Sequence, residues 1–472
     1  MIRATTFNGQ TVAVFGLGSS GIAAAKALVE GGAHVEAWDD GAAGREAAIR
    51  AGVPVLDLRA ADWSRFSALV LAPGVPLTHP VPHWTVEKAR AHGVEIIGDI
   101  EIFARERAAR AGSAPFIAVT GTNGKSTTSA LIGHILAFSG RDVQLGGNIG
   151  RAILTLDEPQ RTRFYVVEMS SFQIDLTPTL SPTVGVMLNV TPDHLDRHGT
   201  IDRYAAIKER IVEGAEVAAV GIDDSFTLEM LKRRIERGAA IAFSAEKSIA
   251  PGYSILDGTI VCSNREGLAV KLGALDGIAT LRGKHNAQNA LAAVAAVREC
   301  LNWIGESSDL DWQGALSSFP GLPHRMEEIG RAGNAVFIND SKATNADSTE
   351  KALLSFPKNV FWIAGGRAKA GGIEPLAPYF GGITKAYLIG ESAEDFAATL
   401  EGKVPFEMSG TLDAALTAAT RDASEIGDTK SIVLLSPACA SYDQFKNFEA
   451  RGDSFRSLVA ALPGIVMRRA AP

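Results

Sequence analysis

The chain has 472 residues, about three times the usual length of one domain, with 46% hydrophobic and 21% charged residues, which excludes a disordered chain and predicts two to four packed cores. Its 46 Lys and Arg against 53 Asp and Glu leave a net charge of −7 with no long run of one sign, which argues against a nucleic-acid coat or a polybasic membrane surface. No apolar run approaches the roughly 20 residues that span a bilayer. The start MIRATTFNGQ passes straight into a strand-like TVAVFG without the order of a secretory signal, so a cytoplasmic chain is expected. Cys262, Cys300 and Cys439 are few, odd in number and far apart, and read as buried thiols rather than a disulfide framework or a zinc site.

Glycines follow short β-branched runs, and each run precedes an Ala-rich segment of helical periodicity, the alternation of a parallel α/β sheet. Residues 11–16, 34–39, 68–72 and 95–97 read as strands of a first unit, closed near residue 110 by the helical DIEIFARERAARAG. A second unit opens with PFIAVTGTNGKSTTSALIGHIL, continues through FYVVEMSS and VGVMLNV, and ends after an Ala-rich helix over 286–300. SSFPGLPHR, with two prolines and a glycine, is the boundary signal in the second half. Beyond it, NAVFINDS, NVFWIAGG, AYLIG and SIVLLSP supply four more strands. Three α/β domains are expected, over 1–110, 111–320 and 321–472.

Gly16-Leu17-Gly18-Ser19-Ser20-Gly21 follows the first strand and opens a helix, and Asp39 ends the next strand about 20 residues on, as in a dinucleotide fingerprint. Glycines let the backbone turn tightly and let a diphosphate approach the amides at the helix N-terminus. Alone, the motif fits a nicotinamide or flavin enzyme first and another diphosphate ligand second. A second loop, Thr120, Gly121, Thr122, Asn123, Gly124, Lys125, Ser126 and Thr127, also sits between strand and helix. It is a variant phosphate loop, because the usual spacing would put its first glycine where Val119 stands. Lys125 can neutralise the β/γ-phosphates and the Ser126 hydroxyl can bind Mg²⁺, so ATP binding is expected.

Glu168 ends the apolar strand FYVVE, where a carboxylate is costly to bury unless a metal or an arginine offsets it. NVTPDHLDRHG gathers Asp193, His194, Asp196 and His198 into one loop, a loose metal-ligand set or a solvated turn. From spacing, Lys208 reads as an ordinary solvent-facing lysine, and His285, Asn286 and Asn289 as a helix start. Asp340, Lys342 and Thr344, and Ser436, Ser441, Asp443, Lys446 and Phe448, follow strands at the edge where open α/β sheets place ligands, or lie in solvated loops.

Together these motifs resemble the Mur ligases, the ATP-dependent amide-forming enzymes of bacterial cell-wall precursors, and the resemblance covers essentially the whole chain. TGTNGKST, EMSSFQ, DHLDRHG, the helix with Lys208 and GKHNAQN resemble that family's central-domain signatures; GLGSSG, NDSKATN and SPACASYDQFKNFEARG resemble its D-glutamate-adding branch. The resemblance implies an N-terminal Rossmann-like domain for a UDP-sugar, a central P-loop ATPase-like domain, and a C-terminal Rossmann-like domain for the amino acid. It implies Gly18, Ser19 and Ser20 near the pyrophosphate, Asp39 and Asp40 near the uracil, and Pro73, Gly74 and Asn148 against the sugar substrate, with Gly41 standing where relatives can carry an arginine. Asn286, Asn289, Arg325 and Asp340 would join the loop in binding ATP. Ser126, Glu168, His194 and Lys208 would hold two Mg²⁺ ions, Lys208 as a carbamate made with CO₂, and Lys125, Glu168, His194 and Lys208 would be the catalytic set. Lys342, Thr344, Lys369, Ser441 and Phe448 would hold D-glutamate. The implied reaction converts the terminal carboxylate of UDP-N-acetylmuramoyl-L-alanine to an acyl phosphate, which the amine of D-glutamate then displaces, in a cytoplasmic monomer with no nucleic-acid or membrane partner. A nicotinamide oxidoreductase, resting on GLGSSG with Asp39, and an ATP-sensing module without catalysis are the rival readings.

Overall fold

In the first of three main sheets every register is parallel: β1 (Thr11–Phe15) lies between β2 (His34–Trp38) and β3 (Ala68–Leu71), with β4 (Glu95–Ile97) outside β3. The structure is a computed structural model that describes residues 1–368, 371–426 and 429–468. The helix Ser19–Glu30 buries Ala23, Ala24, Ala25, Ala27 and Leu28, small side chains that let it lie close to the sheet. Gly21 permits that approach, since a Cβ there would stand 1.8 Å from the Gly16 carbonyl oxygen.

The second sheet holds β5 (Phe116–Thr120), β6 (Val143–Gly147), β7 (Phe164–Glu168), β8 (Val184–Met187), β9 (Val217–Gly221), β10 (Ala239–Ser244), β11 (Gly252–Leu256), β12 (Thr259–Ser263) and β13 (Ala269–Ala274), in the order β13-β12-β11-β10-β9-β8-β5-β7-β6. From β6 to β11 it is parallel, but β11, β12 and β13 pair antiparallel, so the parallel expectation fails at this edge. The reason is local: Asp257 and Gly258 both have positive φ, +47° and +70°, the two-residue hairpin turn that an Asp-Gly pair favours. The helix Asp99–Ala111 joins the first two sheets, its Phe103 ring meeting Phe116 edge-on at 5.3 Å and Tyr165 at 5.0 Å.

The third sheet draws on β14 (Glu327–Ala332), β15 (Ala335–Asn339), β16 (Val360–Gly365), β18 (Ile383–Ile389), β19 (Phe406–Gly410), β20 (Ser431–Leu435) and β22 (Val466–Met467), ordered β19-β18-β16-β20-β15-β14-β22, while β17 (Arg367–Ala368) and β21 (Cys439–Ala440) form a separate ribbon. Its four expected strands are the parallel centre; β14 and β22 add an antiparallel edge. The chain packs as two compact units, Met1–Leu275 with Asn286–Ser317, and Asp276–His285 with Ser318–Pro472. The first unit contains two of the sheets and the second unit the third, so the α/β class is as expected from the sequence. Among the described residues no helix is long and apolar enough to cross a membrane. Cys300 and Cys439 are buried as expected, whereas Cys262, on β12 between β11 and β13, is only half-buried.

Candidate active site

The loop after β1 is braced by an acid. Asp39 Oδ2 accepts the Leu17 N–H at 2.6 Å and Oδ1 the Gly41 N–H at 2.7 Å, so this carboxylate holds the turn of Gly16, whose φ is +92°. Gly18 caps the helix that Ser19 and Ser20 begin. Asp40 accepts from Arg59 at 2.7 Å and from Trp84 Nε1 at 3.2 Å, and lies 3.1 Å from His83 Nε2. Burial pushes its acidity the other way, but these hydrogen bonds and the Arg59 charge hold the carboxyl below its usual range. Two cations that the motif reading missed stand beside Gly41: Arg45 lies 4.7 Å over the Trp38 ring and donates to Asp39 O and Asp40 O, and Arg59 lies 5.5 Å over Trp84. Gly74 sits in the tight turn that follows β3, where the Val75 N–H bonds to Ala72 O.

The loop after β5 is braced by an amide and a buried amine. Asn189, just beyond β8, accepts the Asn123 N–H on Oδ1 and the Thr122 N–H on its carbonyl, both at 2.9 Å. Asn189 opens the NVTPDHLDRHG stretch, but its residue type and spacing there gave it no role. Gly124, at φ +85°, caps the helix Lys125–Phe138 and is pressed so closely on Asn289 that a Cβ would stand 2.1 Å from Asn289 Oδ1. Asn286 Oδ1 accepts from Asn289, and Thr128 donates to Asn289 Oδ1. Ser126 is buried in the first turn of that helix, next to Thr127. Lys125 Nζ curls over its own loop, donating to Gly121 O at 3.0 Å and Thr122 O at 2.7 Å.

Lys208 overturns its reading as a solvent-facing residue. It is 1% exposed, and its Nζ donates to Thr120 Oγ1 at 3.1 Å and Gly121 O at 2.8 Å. The helix Ile201–Glu213 packs against β8 and turns this side chain inward with Tyr204, Ile207 and Ile211, a choice of face that spacing alone did not settle. Burial, then the charge of Lys125, push its amine well below the ordinary lysine range, against the opposing pull of Asp193 and Glu168. A neutral amine is a nucleophile.

Glu168 ends β7 beside Val119, at the head of the loop, and is 1% exposed. Its Oε1 accepts Asn148 Nδ2 at 2.7 Å, while Oε2 is buried with no hydrogen-bond partner among the described residues. Such an orphaned oxygen is costly unless a cation meets it. Among the described residues no three His, Cys, Asp or Glu side chains converge as a ready-made cation site. The groups at this loop are instead a carboxylate oxygen, a serine hydroxyl and a lysine amine whose charged form burial disfavours, and oxygens of the first two kinds suit a hard cation. His194, at φ +52°, lies 3.5 Å from Asp193 by its Nε2, and burial pushes its imidazole down. His198 is buried under it, 2.9 Å from Ser171 Oγ, and is pushed down to about 4 chiefly by burial and by His194.

In the second unit, the ends of β15 and β20 lie side by side, Asn339 against Leu435. Asp340 and Ser436, one residue further on each, therefore meet: Ser436 Oγ donates to Asp340 Oδ2 at 2.8 Å and the Met326 N–H to Oδ1 at 3.2 Å. Burial pushes the Asp340 carboxyl up to about 7, opposed by those hydrogen bonds and the Arg325 charge. Lys342 Nζ lies 4.0 Å over the Phe448 ring, a cation–π contact, and the Thr344 N–H returns to Lys342 O. Ser441 is buried nearby in sequence to Cys439, and Lys369 lies outside the described residues. Arg451, in the EARG end of the same motif, is a residue the sequence reading passed over. It donates to Ser341 Oγ, Ser341 O and Cys439 O, tying the two loops together, and burial pushes it down to about 10.

Residues 119–297 match the family model described as the Mur ligase middle domain, and 324–439 the one described as the Mur ligase glutamate ligase domain. The chain is 56% identical over 466 residues to the UDP-N-acetylmuramoylalanine--D-glutamate ligase of Mesorhizobium japonicum, covering 98% of each chain. It is 56% identical over 470 residues to the ligase of the same name from Brucella abortus, covering 99% of each. Among solved structures it is similar to UDP-N-acetylmuramate-alanine ligase from Thermotoga maritima, with a TM-score of 0.56 at 18% identity over 95% of this chain and 98% of that one. It is similar also to a MurF ligase from Thermotoga maritima in complex with ADP, with a TM-score of 0.56 at 17% identity over 97% of each.

Proposed function

This chain belongs to the Mur ligase family, and from that premise we propose that it joins D-glutamate to UDP-N-acetylmuramoyl-L-alanine with ATP, through an acyl phosphate, in peptidoglycan precursor synthesis. The observation that carries the substrate pair is the 56% identity to ligases of that name along 98% of both chains. The chemistry is supported by the loop after β5, where Lys208 and Glu168 are buried together.

In this reading the UDP portion lies along Gly18, Ser19 and Ser20 with Asp39 and Asp40, and Gly74 and Asn148 face the sugar. The triphosphate lies on Gly121, Thr122, Asn123, Gly124, Lys125, Ser126 and Thr127 at the N-terminal end of the helix, with Asn286, Asn289, Arg325 and Asp340 toward the nucleoside. Lys342, Thr344, Lys369, Ser441 and Phe448 hold D-glutamate. Ser126, Glu168, His194 and Lys208 would hold two Mg²⁺ ions, which supply charge stabilisation where a carboxylate meets the phosphates. The neutral amine of Lys208 adds to the carbon of CO₂ and loses one proton to solvent, and the resulting carbamate is an anionic oxygen ligand.

The carboxylate oxygen of the substrate's alanine attacks the γ-phosphorus of ATP, and ADP leaves. Lys125 offsets the negative charge gathered by that approach. The D-glutamate nitrogen, as a free amine, then attacks the acyl carbon, passes a proton to solvent, and expels phosphate from the tetrahedral intermediate. One chain would carry all three substrate positions, which is consistent with a monomer working in the cytoplasm, where ATP is plentiful. The test is a coupled assay on the purified chain with both co-substrates and Mg²⁺. ADP, orthophosphate and amide product should rise in equal amounts and only with both co-substrates present; release of ADP without product would refute the reading.

A further inference from the structure

We propose that Arg197 is a positioning residue that clasps the turn after β3, so that the segment receiving the UDP-sugar also sets where His194 and Phe172 stand. The inference rests on the reading above for what that turn binds.

Arg197 lies in the short helix Leu195–His198, on the same turn as His194. Its Nη1 donates to Gly74 O at 3.0 Å and its Nη2 to Val75 O at 3.1 Å, two successive carbonyls of the first domain. The same guanidinium lies 4.6 Å over the Phe172 ring. Phe172 is stacked on His198, with centroids 5.0 Å apart and planes at 11°, and meets His194 edge-on at 5.1 Å. Phe172 and its neighbour Ser171, which bonds His198, come directly after Glu168, Met169 and Ser170. One side chain thus touches the substrate turn and the ring that abuts both histidines.

A second observation places the same two segments together from the other side. Gly199 has φ +82° and faces the His79 ring, so that a Cβ would stand 3.0 Å from His79 Nε2. The turn Leu195–Gly199 is therefore gripped at Arg197 and at Gly199 by residues 74–79. His194 holds a left-handed conformation that a non-glycine residue keeps only where its surroundings over-determine it. Arginine suits the task because a planar guanidinium offers parallel donors along its edge and a face for an aromatic ring at once, which an ammonium cannot.

The experiment compares the full chain with Arg197→Ala and Arg197→Lys by calorimetric titration with UDP-N-acetylmuramoyl-L-alanine, without ATP or D-glutamate, and then by steady-state kinetics. Arg197→Ala should weaken binding of the UDP-sugar about tenfold, one decade for the loss of a charge-assisted pair, and lower kcat. The KM for D-glutamate should stay within twofold and thermal unfolding within a few degrees. Arg197→Lys should recover less than half of the lost affinity. A variant that binds the UDP-sugar as tightly as wild type, or that loses thermal stability with every kinetic constant shifted alike, would overturn the clasp. Because the titration needs no turnover, a chain that binds the UDP-sugar but never forms product would refute the ligase reading and leave the Arg197 comparison standing.

Discussion

The loops after β1 and β5 both leave the C-terminal end of an interior parallel strand, both carry a glycine with φ near +90°, Gly16 at +92° and Gly124 at +85°, and both run into a helix. They differ in what stands around them. The first is braced by an anion, Asp39, whose two oxygens are spent on backbone N–H groups. The second is braced by the neutral Asn189, has the amines of Lys208 and Lys125 bonded to its carbonyls, and adjoins a carboxylate oxygen of Glu168 that no described residue satisfies. A diphosphate that is only held asks for amides and a rigid turn; a triphosphate that reacts asks for positive charge and for an oxygen ligand kept open. In the proposed function the same strand-loop-helix unit would serve both, with the side chains brought to it from elsewhere in the sheet deciding which.

The contrast is broken most severely at Glu168. Glu168→Gln keeps the shape and removes the charge, and orthophosphate release should fall about 10³-fold, ~4 kcal/mol of transition-state stabilisation, with UDP-sugar affinity within threefold. A loss below tenfold would mean that the open oxygen has no part in the reaction. Next comes Lys208→Ala, expected to lower turnover about 10²-fold. Wild type stripped of CO₂ should slow and recover with bicarbonate, whereas the variant should not respond; equal responses would dismiss the carbamate. Asp39→Ala sharpens the other side of the comparison. It should raise the KM for the UDP-sugar about tenfold, ~1.4 kcal/mol, and leave the KM for ATP unchanged, because its partners Leu17 and Gly41 lie in the turns after β1 and β2 and none in the loop after β5.

The smallest effect lies outside both loops. Asp340 is pushed up to about 7, above its unfolded value, so the folded chain keeps a proton that the unfolded chain has already released. Stability from this group is therefore present at acid pH and is lost as pH rises from about 4 to about 7. Asp340→Asn lacks that proton, so its melting temperature relative to wild type should climb across the same window. A difference that stays constant with pH would show that the carboxyl is ionised throughout.

Much of the frame was legible because it is local. A strand ending in glycine before an Ala-rich helix needs no distant partner to be recognised, and β1, β5 and β15 stand within a residue of where β-branched runs place them. The antiparallel edges were less legible, although Asp257-Gly258 was a hairpin signal on the page. Asn189 and Arg451 lie inside quoted motifs, yet nothing local marked their roles: they act through bonds to residues 66 and 110 positions away, respectively.

By itself, then, the sequence determined the alternation of strands and helices, the two glycine loops and the family likeness, since turn chemistry and hydrophobic period act over a few residues. Only the tertiary structure decided that Lys208 is buried and that Glu168 keeps one oxygen unpaired. It also decided that Asp39, after β2, braces the loop after β1 and that Arg197 reaches the turn after β3. Burial and charge are set by what the sheet brings alongside, and a side chain's protonation and reach follow from those neighbours rather than from its place in the chain.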